Sequence, residues 1–131
     1  MSIIVKPKIL VVEDQVGVLT TMMLLLERAG FEVVGAQTGL DGIRLSQKAE
    51  FDLVILDINL PEKNGFEVCA WLRQDFRFSR TPIIFVSGQG NEENRRRALE
   101  LGAADFIDKP FDASLFLQKI SSHLRTARWK H

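Results

Sequence analysis

Cysteine is almost missing from these 131 residues: Cys69 stands alone. It cannot make an internal disulfide, and no paired Cys/His spacing suggests zinc. The two histidines, His123 and His131, are too isolated for a metal pair or a catalytic dyad. No apolar run approaches the ~18 residues of a membrane span. The longest, Met22–Leu26, sits inside a helical pattern. Met1–Lys8 has no apolar stretch leading to a small-residue cleavage site, which argues against export. Net charge is also missing, with 17 basic against 17 acidic side chains. That argues against a nucleic-acid domain held mainly by a strong positive field. No internal repeat, linker or low-complexity segment is visible. A single domain over 1–131 in the cytoplasm, a reducing compartment, is the expectation, with a core over about 8–124 and a basic tail over 125–131.

Short β-branched apolar runs recur at regular spacing. Ile9–Val12, Val33–Val34, Leu53–Leu56, Ile83–Val86 and Phe106–Ile107 read as five strands. Near-continuous apolar strands suit a parallel sheet covered on both faces. Helical patterns lie between them: Gln15–Ala29 ending at Gly30, a segment from Thr38 toward Ala49, Gly65 to about Arg73, Asn91–Leu101 before Gly102, and a last helix from Asp112 to about Arg125. Thr38 with Asp41 has the spacing of a capping box. Pro7, Pro61, Pro82 and Pro110 all fall at element edges, where a missing N–H is tolerated. Strand–helix alternation implies right-handed βαβ units, hence a doubly wound α/β fold of the flavodoxin type with five parallel strands.

In such a sheet ligands bind beyond the carboxyl ends of the strands, where strand order reverses. The first strand runs into Glu13-Asp14, the third into Asp57, the fourth into Ser87 and the fifth into Asp108-Lys109-Pro110. With order 2-1-3-4-5 the reversal lies between strands one and three, and three carboxylates, a hydroxyl and a lysine converge on one mouth. Crowded carboxylates raise each other's pKa values unless a cation relieves them. Oxygen donors without His or Cys point to a hard ion, Mg²⁺ more than zinc. With the ion and Lys109 in place, the pocket would attract a phosphoryl group, and a carboxylate can be its nucleophilic acceptor.

Those strand-end residues, in that order, resemble the receiver domain of two-component response regulators. Asp57-Ile58-Asn59-Leu60-Pro61 followed by Asn64-Gly65 resembles the family's phosphoacceptor loop, and Gly102-Ala103-Ala104-Asp105-Phe106 its approach to the fifth strand. The resemblance covers roughly Lys8 to Leu124. It implies that Asp57 accepts a phosphoryl group from a phosphohistidine, that Mg²⁺ is held by Asp14, Asp57 and the backbone carbonyl of Asn59, and that Glu13 acts mainly through water. Lys109 and Ser87 would bind the phosphoryl oxygens. Ser87 would draw the loop Gly88–Asn91 inward, and Phe106 would be the switch aromatic. The resemblance further implies a cis Lys109–Pro110 peptide. Asn59 and Gln89 would flank the path of attacking water.

The simpler readings are a loop-capping aspartate, a solvated turn before a helix, a capping serine and a packing phenylalanine. Two other classes compete: a receiver-like binding module that never takes phosphate, and a small enzyme on the same fold. Gly88-Gln89-Gly90 opens a helix after a strand, but Glu93 occupies the third glycine position of a dinucleotide fingerprint. No phosphate-binding nucleotide loop occurs, and Asn59 stands where a phosphatase of the haloacid-dehalogenase type has its second aspartate. The expectation is therefore a protein that catalyses only its own phosphorylation and dephosphorylation.

Two partner surfaces are expected. On the first helix, Val18, Met22, Leu25, Leu26 and Ala29 share one face, leaving Val16, Met23 and Leu24 outside it and Leu19 at the border. By resemblance, Val16, Leu19, Met23 and Leu24 would belong to the docking patch for a histidine kinase or phosphotransfer protein. The surface of the fourth helix, fifth strand and fifth helix would dimerise or meet an effector. Glu92–Arg96 and Glu93–Arg97 have the favourable i,i+4 orientation on that fourth helix. Cys69 is expected as an inert buried thiol, and no direct nucleic-acid or membrane contact is expected.

Overall fold

Successive side chains of a strand point to opposite faces, and the strand Lys8–Val12 (β1) is apolar on both. Leu10 and Val12 enter one core and Ile9 and Val11 the other, all four fully buried. A strand of this kind must be central. The computed structural model, which describes residues 6–128, places it so. After β1 come Val16–Arg28 (α1), Glu32–Ala36 (β2), Gly39–Ser46 (α2), Leu53–Leu56 (β3), Gly65–Gln74 (α3) and a 3-10 turn at Phe76–Phe78. Ile83–Ser87 (β4), Glu92–Glu100 (α4), Asp105–Asp108 (β5) and Ala113–Arg128 (α5) complete the chain. The five strands are all parallel, in the order β2-β1-β3-β4-β5.

Two hydrocarbon layers flank the sheet. On one side Phe66, Val68, Cys69 and Leu72 of α3, Ile43 of α2 and Ala98 of α4 pack on Leu10, Val54, Leu56 and Phe85. On the other, Leu19, Met22 and Leu26 of α1 and Phe116, Ile120 and Leu124 of α5 pack on Ile9, Ile55, Ile84 and Ile107. Cys69 is buried as expected, and burial raises its thiol pKa, which favours the protonated form.

Helix ends follow local chemistry. Gly30 and Gly102 take φ of +97° and +91°, so α1 and α4 stop where a left-handed residue is required. Thr38 accepts a bond from the Asp41 N–H, the forward half of the expected box. A complete box lies instead at α3, where Asn64 and Glu67 satisfy each other's backbone N–H groups. The helical path of α5 reaches Arg128 rather than Arg125. The rest of the expected basic tail, Trp129 and Lys130 with His131, lies outside the described residues, as do the side chains of Arg125 and Arg128.

The buried face of α1 is rotated from the helical-wheel expectation. Leu19 is buried and Met23 half-buried, whereas Ala29 is exposed. The reason is Gly35 in β2: a Cβ there would meet Met23 Sδ at 2.8 Å and Leu19 Cδ1 at 3.2 Å. These two side chains fill the space that glycine leaves. Leu19 therefore drops out of the expected docking patch and Met23 contributes only an edge, while Val16 and Leu24 are exposed at 61% and 48%.

Candidate functional site

Hydrogen bonds carry the ladder one step past several strand ends. Glu13 N–H donates to Ala36 O at 2.9 Å, Asp57 N–H to Val12 O at 3.1 Å and Lys109 N–H to Ser87 O at 3.0 Å. The backbones of three charged residues are thus as fixed as the sheet itself. Register pairs Val12 with Leu56 and Ser87 with Asp108, so Glu13 and Asp57 stand abreast and Lys109 directly follows the residue beside Ser87. Glu13, Asp14, Asp57 and Lys109 thus meet at one mouth.

Carboxylate oxygens of Glu13, Asp14 and Asp57 all lie within 4.8 Å of one another. Lys109 Nζ donates to Glu13 Oε1 at 2.5 Å and to Asp57 Oδ2 at 3.1 Å. Glu13 is wholly buried, and its other oxygen accepts the Gln15 N–H at 3.0 Å. Burial raises the Glu13 pKa, with the neighbouring Asp57 charge adding to the rise against the lowering effect of Lys109. Burial alone would lower the Lys109 pKa. The bonds to Glu13 and Asp57 outweigh it and hold the ammonium above the usual lysine value, so it stays charged.

Three carboxylates face one ammonium, leaving two negative charges when all are ionised. Every donor in the cluster is a carboxylate oxygen, which suits a hard divalent cation. Asp14 is exposed at the rim and Asp57 is 6% exposed. Both oxygens of Glu13 already have protein partners, which matches an indirect role for it. The residues present therefore fit a divalent ion bound through Asp14 and Asp57.

The loop after Asp57 folds tightly on itself. Ile58 O accepts from Leu60 N–H and Gly65 N–H, and Glu62 takes φ +72°. Gly65 lies so close beneath Asp57 that a Cβ would sit 2.0 Å from the Asp57 carbonyl oxygen. The glycine after Asn64 thus lets α3 begin directly under the acidic cluster. Asn59 is exposed beside it.

Ser87 is 1% exposed and its Oγ accepts the Gln89 N–H at 3.1 Å, tying the loop 88–91 to the strand end. Phe106 is half-buried and stacks on Phe85, ring centres 6.2 Å apart. The Lys109–Pro110 peptide is cis.

A family pattern described as the response regulator receiver domain matches residues 9–121. The chain belongs to that family. The transcriptional regulatory protein GltR of Pseudomonas aeruginosa is 36% identical over 121 residues, covering 92% of this chain and 50% of that protein. The transcriptional regulatory protein CpxR of Escherichia coli K12 is 36% identical over 122 residues, covering 93% and 51%. The chain spans about half the length of the curated relatives it matches. Among solved structures, a CheY-like receiver domain protein of Methanospirillum hungatei superposes with a TM-score of 0.91 at 28% identity, covering 97% of this chain and 100% of that one. The chemotaxis protein CheY4 of Vibrio cholerae gives 0.87 at 29% identity, covering 90% and 98%. Receiver domain and doubly wound fold are therefore as the sequence implied. No helix among the described residues is long and apolar enough to cross a membrane.

Several polar contacts of this receiver were missed from sequence. The Lys109–Glu13 bond was one. On α4, neither Glu92–Arg96 nor Glu93–Arg97 is an ion pair among the described residues. Arg97 lies over the Phe66 ring at 4.5 Å, and Arg95 pairs with Asp108 across to β5. On α5, Lys119 and His123 both reach Asp105, at 3.3 and 3.0 Å. The i,i+4 spacing of Lys119 and His123 was the available signal; which acidic residue they faced required the fold.

Proposed function

We propose that Asp57 is the phosphoacceptor and that the donor is a phosphohistidine on a kinase or phosphotransfer protein. The observation that carries this is the meeting of Glu13, Asp14 and Asp57 oxygens within 4.8 Å, with the Lys109 ammonium 3.1 Å from Asp57. A carboxylate oxygen of Asp57 attacks phosphorus, the phosphorus–nitrogen bond breaks, and the electron pair leaves with the donor's ring nitrogen. Lys109 is poised to turn from Asp57 Oδ2 to a phosphoryl oxygen as negative charge accumulates. Ser87 Oγ supplies a second hydrogen bond from the β4 end. Mg²⁺, held by Asp14, Asp57 and the Asn59 carbonyl, would supply charge neutralisation when bound. Water attack on phosphorus, on a path flanked by Asn59 and Gln89, then releases inorganic phosphate and restores the carboxylate.

The protein acts in this reading as a signalling element that catalyses only its own modification. The donor docks over α1 beside the site, where an apolar groove of about 560 Å³ is lined by Gln15, Gly17, Val18, Thr21, Pro110 and Phe111, with Lys109 at its edge. Phosphorylation adds a charge of about −1.5 to −2 and biases the face of α4, β5 and α5 toward its dimer or effector. Leu99, 62% exposed, lies on that face.

Acetyl phosphate with Mg²⁺, followed by intact mass, tests the reading. The expected result is one phosphate adduct, lost in EDTA and in Asp57→Asn. No adduct on the wild-type chain would favour an inert binding module. Turnover of an external substrate that survives Asp57→Asn would favour an enzyme.

A further inference from the structure

Arg95 touches three parts that the proposed response has to move. Its Nη2 donates to Gly90 O at 3.3 Å, in the loop that follows Ser87, and pairs with Asp108 Oδ2 at the end of β5. Its guanidinium carbon lies 5.1 Å over the centre of the Phe106 ring, which itself stacks on Phe85. Asp108 is in register with Ser87 and immediately precedes Lys109. The contact is closely fitted: a Cβ on Gly90 would lie 1.8 Å from Asp108 Oδ1. Only glycine lets this carboxylate rest against the loop backbone.

The Ser87 hydroxyl accepts the Gln89 N–H at 3.1 Å. If Ser87 turns to a phosphoryl oxygen on Asp57, that restraint on the loop is disturbed and the loop is drawn toward the site. Gly90 O then leaves Arg95, and the guanidinium loses one of its three contacts. The ion pair itself is 41% and 51% exposed at its two side chains. Such a pair is too weak to hold the fold together but strong enough to bias two nearly balanced arrangements.

We infer that Arg95 is a positioning residue: with Asp108 it latches the loop after Ser87 to the end of β5 and holds the unphosphorylated arrangement. The latch rests on the phosphoacceptor reading above. Removing it enlarges the population ready to take phosphate, so the rate of modification by a small donor rises.

The test is the rate of adduct formation with acetyl phosphate and Mg²⁺, by intact mass, for wild type, Arg95→Gln, Asp108→Asn, the double variant, Arg95→Lys and Asp57→Asn. Arg95→Gln and Asp108→Asn should each accelerate modification by up to about fivefold, the range open to an exposed ion pair. The double variant should be no faster than the faster single one, because both remove the same contact. Arg95→Lys should fall between wild type and Arg95→Gln, since it keeps the charge but not the flat guanidinium over Phe106. Gln and Lys have similar helix propensity, so a mere effect on α4 would not separate them. Wild-type adduct formation with single variants no faster than wild type, or with effects that multiply in the double variant, would overturn the latch alone. No wild-type adduct at all would overturn the phosphoacceptor reading and the latch with it.

Discussion

Replacing Lys109 with methionine removes one charge and keeps most of the apolar stem. The ammonium bridges Glu13, whose side chain is fully buried, and Asp57, whose side chain is 8% exposed. Deleting one partner of a buried ion pair costs about 3–5 kcal/mol, because the remaining charge is stranded in a medium that solvates it poorly. Here the lower end applies. Lys109 is itself 16% exposed, and Glu13, already raised in pKa by burial, can escape by taking a proton. A loss of about 3 kcal/mol, at about 2.1 cal/mol/K of unfolding entropy per residue, lowers the Tm of a chain this long by about 11 °C. The assay is thermal and urea unfolding at neutral pH in EDTA. The deficit should shrink on acidification: a carboxyl with a raised folded pKa binds its proton more tightly folded than unfolded, so stability is gained as pH falls through that folded value. Glu13→Gln/Lys109→Met, with both charges gone, should recover most of the loss. A Lys109→Met chain within about 0.5 kcal/mol of wild type would refute the reasoning, as would a double variant less stable than the single.

Arg73→Ala should cost about 3 kcal/mol in urea unfolding, since Arg73 donates to Phe78 O, Thr81 O and Gly102 O at 2.5, 2.8 and 2.7 Å and no other group replaces that fork. Lysine at 73 should recover less than half, because an ammonium lacks the planar fork. Gly65→Ala should destabilise the chain and weaken Mg²⁺ binding together, measured by calorimetry, because its Cβ would press the Asp57 carbonyl at 2.0 Å. Burial alone would raise the Asp105 pKa, but bonds from His123, the Phe106 N–H and Lys119 outweigh it and hold it below the ordinary aspartate value. That stability is present above the ordinary value and is lost as pH falls through the lowered folded one. Wild type should therefore exceed Asp105→Asn by less than about 1 kcal/mol near neutrality, and the urea midpoints should converge in acid.

Much of the fold was legible because the buried apolar runs of β1, β3 and β5 end abruptly in charge, and that of β4 in Ser87. Leu53–Leu56 followed by Asp57, and Phe106–Ile107 followed by Asp108-Lys109, mark both the strand and the edge where its chemistry sits. The same rule located the acidic cluster, since parallel strands deliver their carboxyl ends to one side. What stayed hidden depends on distances between elements. A helical wheel treats α1 as if its neighbours were uniform, but Gly35 opens space that Leu19 and Met23 fill. Local i,i+4 pairing on α4 gave way to Arg95–Asp108 and to Arg97 over Phe66, because a long basic side chain gains more from a neighbouring element than from its own solvated turn. Glu13 read as a solvated turn residue or an indirect metal group. Its burial against Lys109 depended on the length of the lysine, which reaches from the end of β5 past β4 and β3.

Reduction with borohydride converts an aspartyl phosphate to homoserine and so records which carboxylate carried the phosphoryl group. After treatment with acetyl phosphate and Mg²⁺, peptide sequencing by mass spectrometry should find homoserine in place of Asp57 and nowhere else. Homoserine at position 14, or an unmodified Asp57 in a chain that has gained phosphate, would contradict the assignment of this carboxylate as the acceptor.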